Sequence, residues 1–226
     1  MNIPQIIEKV GVVAPNERSA EISKARNIDP DSAELLNSQD ILSLIDYIIS
    51  VHHKYAKENA VAIHKLLQDL MYTSKYPELK EVAPAFSLFM HDVLNNIMKE
   101  EKILFPNIIM LVERNRKNNE TRYTTFGLIR NIIAGMLHTQ HCAYKEMMHL
   151  RALTDGYDIP AGACGDYAIL YGKMKEFEQH YLLQVELENE MLFPSAMAED
   201  GGGSEADILK IKTERRNHVQ KDLQTK

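Results

Sequence analysis

Asn96-Ile97-Met98-Lys99-Glu100-Glu101-Lys102-Ile103-Leu104-Phe105-Pro106 has a second version downstream, Gln184-Val185-Glu186-Leu187-Glu188-Asn189-Glu190-Met191-Leu192-Phe193-Pro194. Both versions place a side-chain amide one helical turn before a glutamate and end in Leu-Phe-Pro. The glutamates Glu100 and Glu188 stand 88 positions apart. Each has a histidine the same 47 positions upstream, His53 for Glu100 and His141 for Glu188. Each histidine opens a His-x4-Glu segment, reaching Glu58 and Glu146. This repeat predicts two helical hairpins that face each other and bring two histidines and two glutamates together. The fold expected is all-α, an up-down four-helix bundle with a metal site inside it.

Working outward, helical periodicity covers 39–72, 82–115, 124–153 and 166–198. Ser38 or Asp40 can cap the first helix. Its apolar stripe runs through Ile45, Ile49, Ala56, Ala60, Ile63 and Leu67, with His53 on the stripe and His52 at its edge. The second helix uses Phe86, Met90, Leu94, Ile97, Leu104 and Ile108, and the third uses Ile133, Leu137, His141, Tyr144 and Met148. Pro106 and Pro194 each remove a backbone donor and predict a kink. The bundle therefore spans 39–198. Residues 1–38 form a small helical N-terminal region, amphipathic over Ile3–Val13, whose chemistry is not readable. Residues 199–226 form a glycine break at Gly201-Gly202-Gly203 and a charged tail.

A chain of 226 residues with 45% hydrophobic content has enough material for a full core. The net charge of −6 leaves no footprint for nucleic acid. The absence of an 18-residue apolar run or a secretory leader predicts no membrane span. Two cysteines, Cys142 and Cys164, make no disulfide framework, so a reducing cytoplasm is the expected location.

The chemistry sits on the helix stripes. Asn96 with Glu100, and Gln184 with Glu188, are pairs one turn apart on a single face. His53 and His141 come from the other two helices. Two facing buried carboxylates without a counter-charge are expensive, and a metal removes that cost. Carboxylate and imidazole donors suit iron, with manganese and zinc as alternatives. A lone histidine on an apolar stripe is more often a hydrogen-bonded core residue, and it is the paired spacing that argues for ligation. His138 reads as an outer partner of a ligand. His180, one turn before Gln184, is a substitute ligand only for a displaced metal. His91 lies off the face, and His52, His64, His149 and His218 carry no special claim. Tyr55, Tyr144 and Tyr181 are candidates to supply a phenol near the site, although such residues more often pack or cap a core edge.

With these residues in place, the chain resembles the hemerythrin-like di-iron proteins, and within them the group that repairs iron–sulfur clusters after nitrosative or oxidative stress. The segments that carry the likeness are Lys99–Pro106, His138-Thr139-Gln140-His141 and Leu187–Pro194. The resemblance implies a di-iron centre, partly occupied, on His53, Glu100, His141 and Glu188, with the two glutamates bridging. The family's second and fourth helices carry His-x3-Glu, whereas Asn96 and Gln184 stand at those histidine positions here. Both amides are candidate oxygen ligands, weaker than imidazole. The family's N-terminal Cys-Cys pair is also absent, since 1–38 contains no cysteine. The implied role is a metal-binding or repair protein rather than a classical enzyme, and no catalytic residue is assigned. Its implied partners are iron–sulfur proteins and nitric oxide or dioxygen, with no nucleic acid and no membrane; a homodimer is compatible with it. The alternative is a bundle that has lost its metal and serves as an interaction or regulatory module.

Overall fold

The computed structural model describes residues 40–73, 75–117 and 128–200. The expected N-terminal region 1–38, most of the crossover between the hairpins and the tail beyond Asp200 lie outside the described residues. Four long helical rods make up the rest. The first is α1 (Ile41–Tyr47), a π-helical stretch over Ile48–His53, and α2 (Lys54–Tyr72). The second is α3 (Leu79–Lys99), a π stretch over Glu100–Leu104, and α4 (Phe105–Arg116). The third is α5 (Leu128–Leu153), which has no π stretch. The fourth is α6 (Gly165–Leu187), a π stretch over Glu188–Leu192, and α7 (Phe193–Glu199). No described helix is long and apolar enough to cross a membrane.

Local chemistry sets the ends. Asp40 caps α1, its Oδ1 accepting from the Leu42 N–H at 3.4 Å and its Oδ2 from the Ser43 hydroxyl at 2.8 Å. Arg116 donates to the same carboxylate at 3.0 Å, tying the end of the second rod to the start of the first. The turn between α5 and α6 uses left-handed backbone at Asp155, Gly156 and Tyr157, and the Gly156 N–H closes it by donating to the Arg151 carbonyl at 2.8 Å. The buried Glu178 carboxylate accepts from the Arg151 guanidinium and from the Tyr157 hydroxyl, fastening that hairpin.

The two Leu-Phe-Pro ends take a form that the kink argument did not anticipate. Pro106 and Pro194 sit in the first turns of α4 and α7, and the turn before each is wound as a π-helix. Proline offers no N–H to the carbonyl four residues back, so the preceding turn is free to widen. At the first of these ends the Asn107 side chain donates to the Ile103 carbonyl at 2.7 Å.

Packing gives two hydrophobic cores rather than one. The first gathers Ala56, Ile63, Leu67, Phe86, Phe89, Val93, Met147, Leu170, Met174 and Phe177 from α2, α3, α5 and α6. The second gathers Ile45, Ile48, Leu104, Phe105, Ile108, Ile133, Met136, Leu192 and Phe193 from the opposite end. On every rod buried polar side chains fall where one core gives way to the other: His52 and His53, Asn96 and Glu100, Gln140, then Gln184, Glu188 and Asn189.

Most of the expected stripes lie in or beside the cores, but two details differ. Ile49 is exposed, because the π stretch turns it outward. On α5 the buried row is Ile129, Ile133, Met136, Gln140, Ala143, Met147 and Leu150. The expected row through Leu137, His141, Tyr144 and Met148 is its neighbour, one residue round the helix. Both rows are apolar enough to serve. The inward row carries Gln140, whose side chain hydrogen-bonds to Glu188 and Asn189 of the fourth rod.

Phe177 is 1% exposed and meets Phe86 and Phe89 edge-on, each at 5.7 Å between ring centroids. Phe177→Ala should cost about 3–5 kcal/mol in urea unfolding. A loss under about 1 kcal/mol would contradict a closely packed first core.

Candidate metal centre

Five of the six residues singled out from the sequence meet in one belt, and three of them group as candidate ligands. One ligand atom each from His53, Glu100 and Glu188 lies within 4.8 Å of the others, and all three side chains are fully buried. Each sits at the end of a π stretch: His53 closes the first, Glu100 opens the second and Glu188 opens the third. A π turn inserts a residue and re-aims the side chains around it, which is why such turns recur at functional sites.

His53 Nε2 lies 3.0 Å from Glu100 Oε2. Its other nitrogen, Nδ1, is 2.9 Å from Glu101 Oε1. Lys57 grips that Glu101 carboxylate through both oxygens, at 2.6 and 2.8 Å. The Glu101 contact places the ring proton on Nδ1 and leaves the Nε2 lone pair facing the two buried glutamates. Phe105 stacks on the imidazole at 5.6 Å, with ring planes 9° apart, and shields it from water.

The amides occupy the same belt. Asn96 donates to Glu100 Oε1. Gln184 Nε2 bridges the pair, 2.7 Å from Glu188 Oε1 and 3.3 Å from Glu100 Oε2, and is 3.2 Å from His53 Nε2. His141 is not in the group. It is half-buried on α5, and the inward position beside it belongs to Gln140, which donates to Glu188 Oε2 at 2.6 Å. Asn189 in turn donates to Gln140 Oε1 at 3.0 Å, and Tyr181 donates to the Gln140 carbonyl at 2.8 Å. Equal spacing in the chain does not fix rotational phase, and of the two rods that carry His53 and His141 only the first contains a π turn. Glu58, the partner of His53 in the sequence repeat, is exposed.

Sequence reasoning missed Glu101 and Gln140. Both left a trace: Lys57 lies one turn after His53 and pairs with Glu101, and Gln140 falls on the Met136–Ala143–Met147 row. It also gave His52 no role, yet His52 is 1% exposed with neither ring nitrogen hydrogen-bonded.

Burial dominates the electrostatics. It raises the Glu100 carboxyl to about 8, with the Glu101 charge adding to the effect. Burial, and then the Glu100 charge, raises Glu188 well above the ordinary range. Burial lowers His53. Without a counter-ion the belt is therefore proton-loaded and neutral near pH 7.

The donor set fits a transition-metal ion. It offers one imidazole with its tautomer already chosen, two carboxylates held together, and a buried acceptor, Asn96 Oδ1, that has no hydrogen-bond partner. A half-turn of the Gln184 amide would present its oxygen instead of its nitrogen.

The chain is 25% identical over 176 residues to the iron-sulfur cluster repair protein YtfE of Yersinia pseudotuberculosis serotype IB (strain PB1/+), over 76% of this chain and 73% of that protein. The chain resembles iron-sulfur cluster repair proteins. The proteins of the same name from Yersinia pestis (strain Pestoides F) and Yersinia pseudotuberculosis serotype O:1b (strain IP 31758) match with the same identity and coverage. No protein-family model matches.

The buried carboxyls set a pH dependence for the chelator-treated chain. Their folded values lie above the ordinary 4.5, so the folded state holds protons that the unfolded chain releases. Stability falls as pH rises from 4.5 through the folded values. His52 and His53, both lowered from 6.5, act the other way, but only below about 6.5. Melting followed by circular dichroism should therefore show a net loss between about pH 6.5 and 8, on the order of 2 kcal/mol from Glu100 alone. A stability that rises or stays level across that window would contradict the buried carboxyl pair.

Proposed function

We propose that this chain is a non-haem iron-binding bundle of the hemerythrin-like kind that serves in iron–sulfur cluster repair. The reading rests on one observation, the convergence of His53, Glu100 and Glu188 within 4.8 Å at a buried belt. Similarity to relatives named iron-sulfur cluster repair protein supports the biological role. Under nitrosative or oxidative stress in the cytoplasm, iron held there would supply redox chemistry and open coordination positions for nitric oxide or dioxygen, and would be available to damaged iron–sulfur proteins.

The chain's own residues have definite tasks in this reading. Glu101 and Lys57 orient His53. Glu100 and Glu188 give up their protons on loading and take them back on release. Phe105 and the flanking cores keep water out. Asn96 and Gln184 hold the carboxylates when iron is absent and offer oxygen when it is present. With one imidazole in the group and amides at Asn96 and Gln184, the centre would hold one iron more firmly than a second, because the imidazole expected for the second, His141, lies on the neighbouring row.

One observation favours a second reading, that of a metal-free interaction or regulatory module. Each oxygen of Glu100 and Glu188 already has an amide donor from Asn96, Gln184 or Gln140, so the protonated belt is close to satisfied without an ion.

Iron analysis after anaerobic loading distinguishes the two. The iron reading expects about one firmly held equivalent per chain and a weaker second one, with Glu188→Gln losing the firm equivalent. Asn96→His with Gln184→His should raise retained iron and strengthen its near-ultraviolet absorption. The loaded chain should also reactivate a hydro-lyase whose cluster has been damaged by nitric oxide, faster than Glu188→Gln does. No retained iron in either the native or the doubly substituted chain would favour the module.

A further inference from the structure

Gln140 and Gln184 are both buried amides of the inner belt, and both donate to Glu188. Their settings differ in what fixes them. Gln184 Nε2 lies 2.7 Å from Glu188 Oε1, 3.2 Å from His53 Nε2 and 3.3 Å from Glu100 Oε2. One atom from each candidate ligand therefore surrounds a single amide nitrogen. When those three atoms bind an ion they stop accepting from the amide, and it can turn over and present its oxygen.

Gln140 has no such freedom, because a run of hydrogen bonds that starts at a backbone carbonyl sets its polarity. The Val185 carbonyl can only accept, so the Asn189 group that faces it at 2.7 Å is the amino group, Nδ2. The same Nδ2 donates its other hydrogen to Gln140 Oε1 at 3.0 Å. Gln140 must then aim its oxygen at Asn189 and its nitrogen at Glu188, where Nε2 donates to Oε2 at 2.6 Å. Asn189 keeps this orientation although its own buried Oδ1 has no hydrogen-bond partner. Turning it over would set oxygen against the Val185 carbonyl and lose two bonds. The Tyr181 hydroxyl donates to the Gln140 carbonyl at 2.8 Å, so the backbone is held against the fourth rod as well as the side chain.

The Glu188 carboxylate thus has two unlike oxygens. Oε1 shares the Gln184 nitrogen with Glu100 and His53. Oε2 faces an N–H donor that keeps a partial positive charge beside it and has no oxygen to offer a cation. A carboxylate that bridges two ions gives one oxygen to each, and here only one is available. We propose that Gln140 sets the nuclearity of the centre: its fixed amide reserves Glu188 Oε2 and limits the firmly held metal to a single ion on the His53 side. This rests on the iron-binding reading above. Gln140 is a positioning residue that acts through Glu188, and Asn189 is its fastener.

Iron retained by the full chain after anaerobic loading and gel filtration, with electron paramagnetic resonance after oxidation, tests this. The native chain should keep one ion and show the low-field signal of an isolated ferric ion. Gln140→Glu puts oxygen in place of the nitrogen at nearly unchanged volume and keeps the Asn189 bond. It should raise retained iron about twofold and lose most of the signal, because a coupled ferric pair is silent. Asn189→Leu alters no atom that touches Glu188 and only frees Gln140 to turn. It should also raise retained iron above that of the native chain, which a merely structural role for Gln140 would not do, and it keeps the test open if a third buried carboxyl prevents Gln140→Glu from folding. Two ions and a silent spectrum in the native chain would overturn the inference and leave the iron-binding reading standing, and so would a single ion in both variants. No retained iron in the native chain or in either variant would overturn the iron-binding reading and this inference with it.

Discussion

Glu100 and Glu188 are enclosed without solvent exposure between two hydrophobic cores, and the rest of the belt answers to that constraint. An uncompensated buried carboxylate costs several kcal/mol, roughly, and two that face each other cost more. The structure has two ways to meet the cost. Protons on both carboxyls, with Asn96, Gln184 and Gln140 as donors, give a neutral belt. In the proposed iron-bound state a metal ion would displace those protons and take the same oxygens as ligands. The two states would share one scaffold and differ in charge, which suits the proposed holding and release of an ion.

The scaffold turns on the π stretches. A regular α-helix through Glu100 or Glu188 would aim these side chains differently, and the Leu-Phe-Pro sequence that follows each one provides the reason for the departure. The missing proline N–H relaxes the preceding turn, and the buried Leu104, Phe105, Leu192 and Phe193 anchor its far side in the second core. The repeated motif therefore acts mechanically at one end and chemically at the other. The third rod lacks such a stretch and brings an amide, Gln140, where the others bring a charged or imidazole group.

The sequence made the bundle, the two hairpins and the pairing of Glu100 with Glu188 legible, because each rests on periodicity and repetition. His53 was legible for the same reason. His141 lies outside the group that His53 forms with Glu100 and Glu188: spacing along the chain constrains position along an axis, whereas facing depends on rotation. On α5 two neighbouring rows are both apolar, so pattern alone does not decide between Gln140 and His141. The π turns were hidden because no residue type marks them apart from the proline that follows two of the three. The partner of His53 Nδ1 was hidden in plain composition, since Glu101 looks like one more surface acid until Lys57 and His53 are seen to hold it.

The account stands most directly on where an ion goes. Crystals of the chain loaded anaerobically with ferrous iron, measured on both sides of the iron absorption edge, locate iron without assumptions about its ligands. The account predicts an anomalous peak inside the bundle, in contact with His53 Nε2 and with carboxylate oxygens of both Glu100 and Glu188. A peak confined to surface residues, or no peak while Glu100 and Glu188 keep their amide hydrogen bonds, would contradict it.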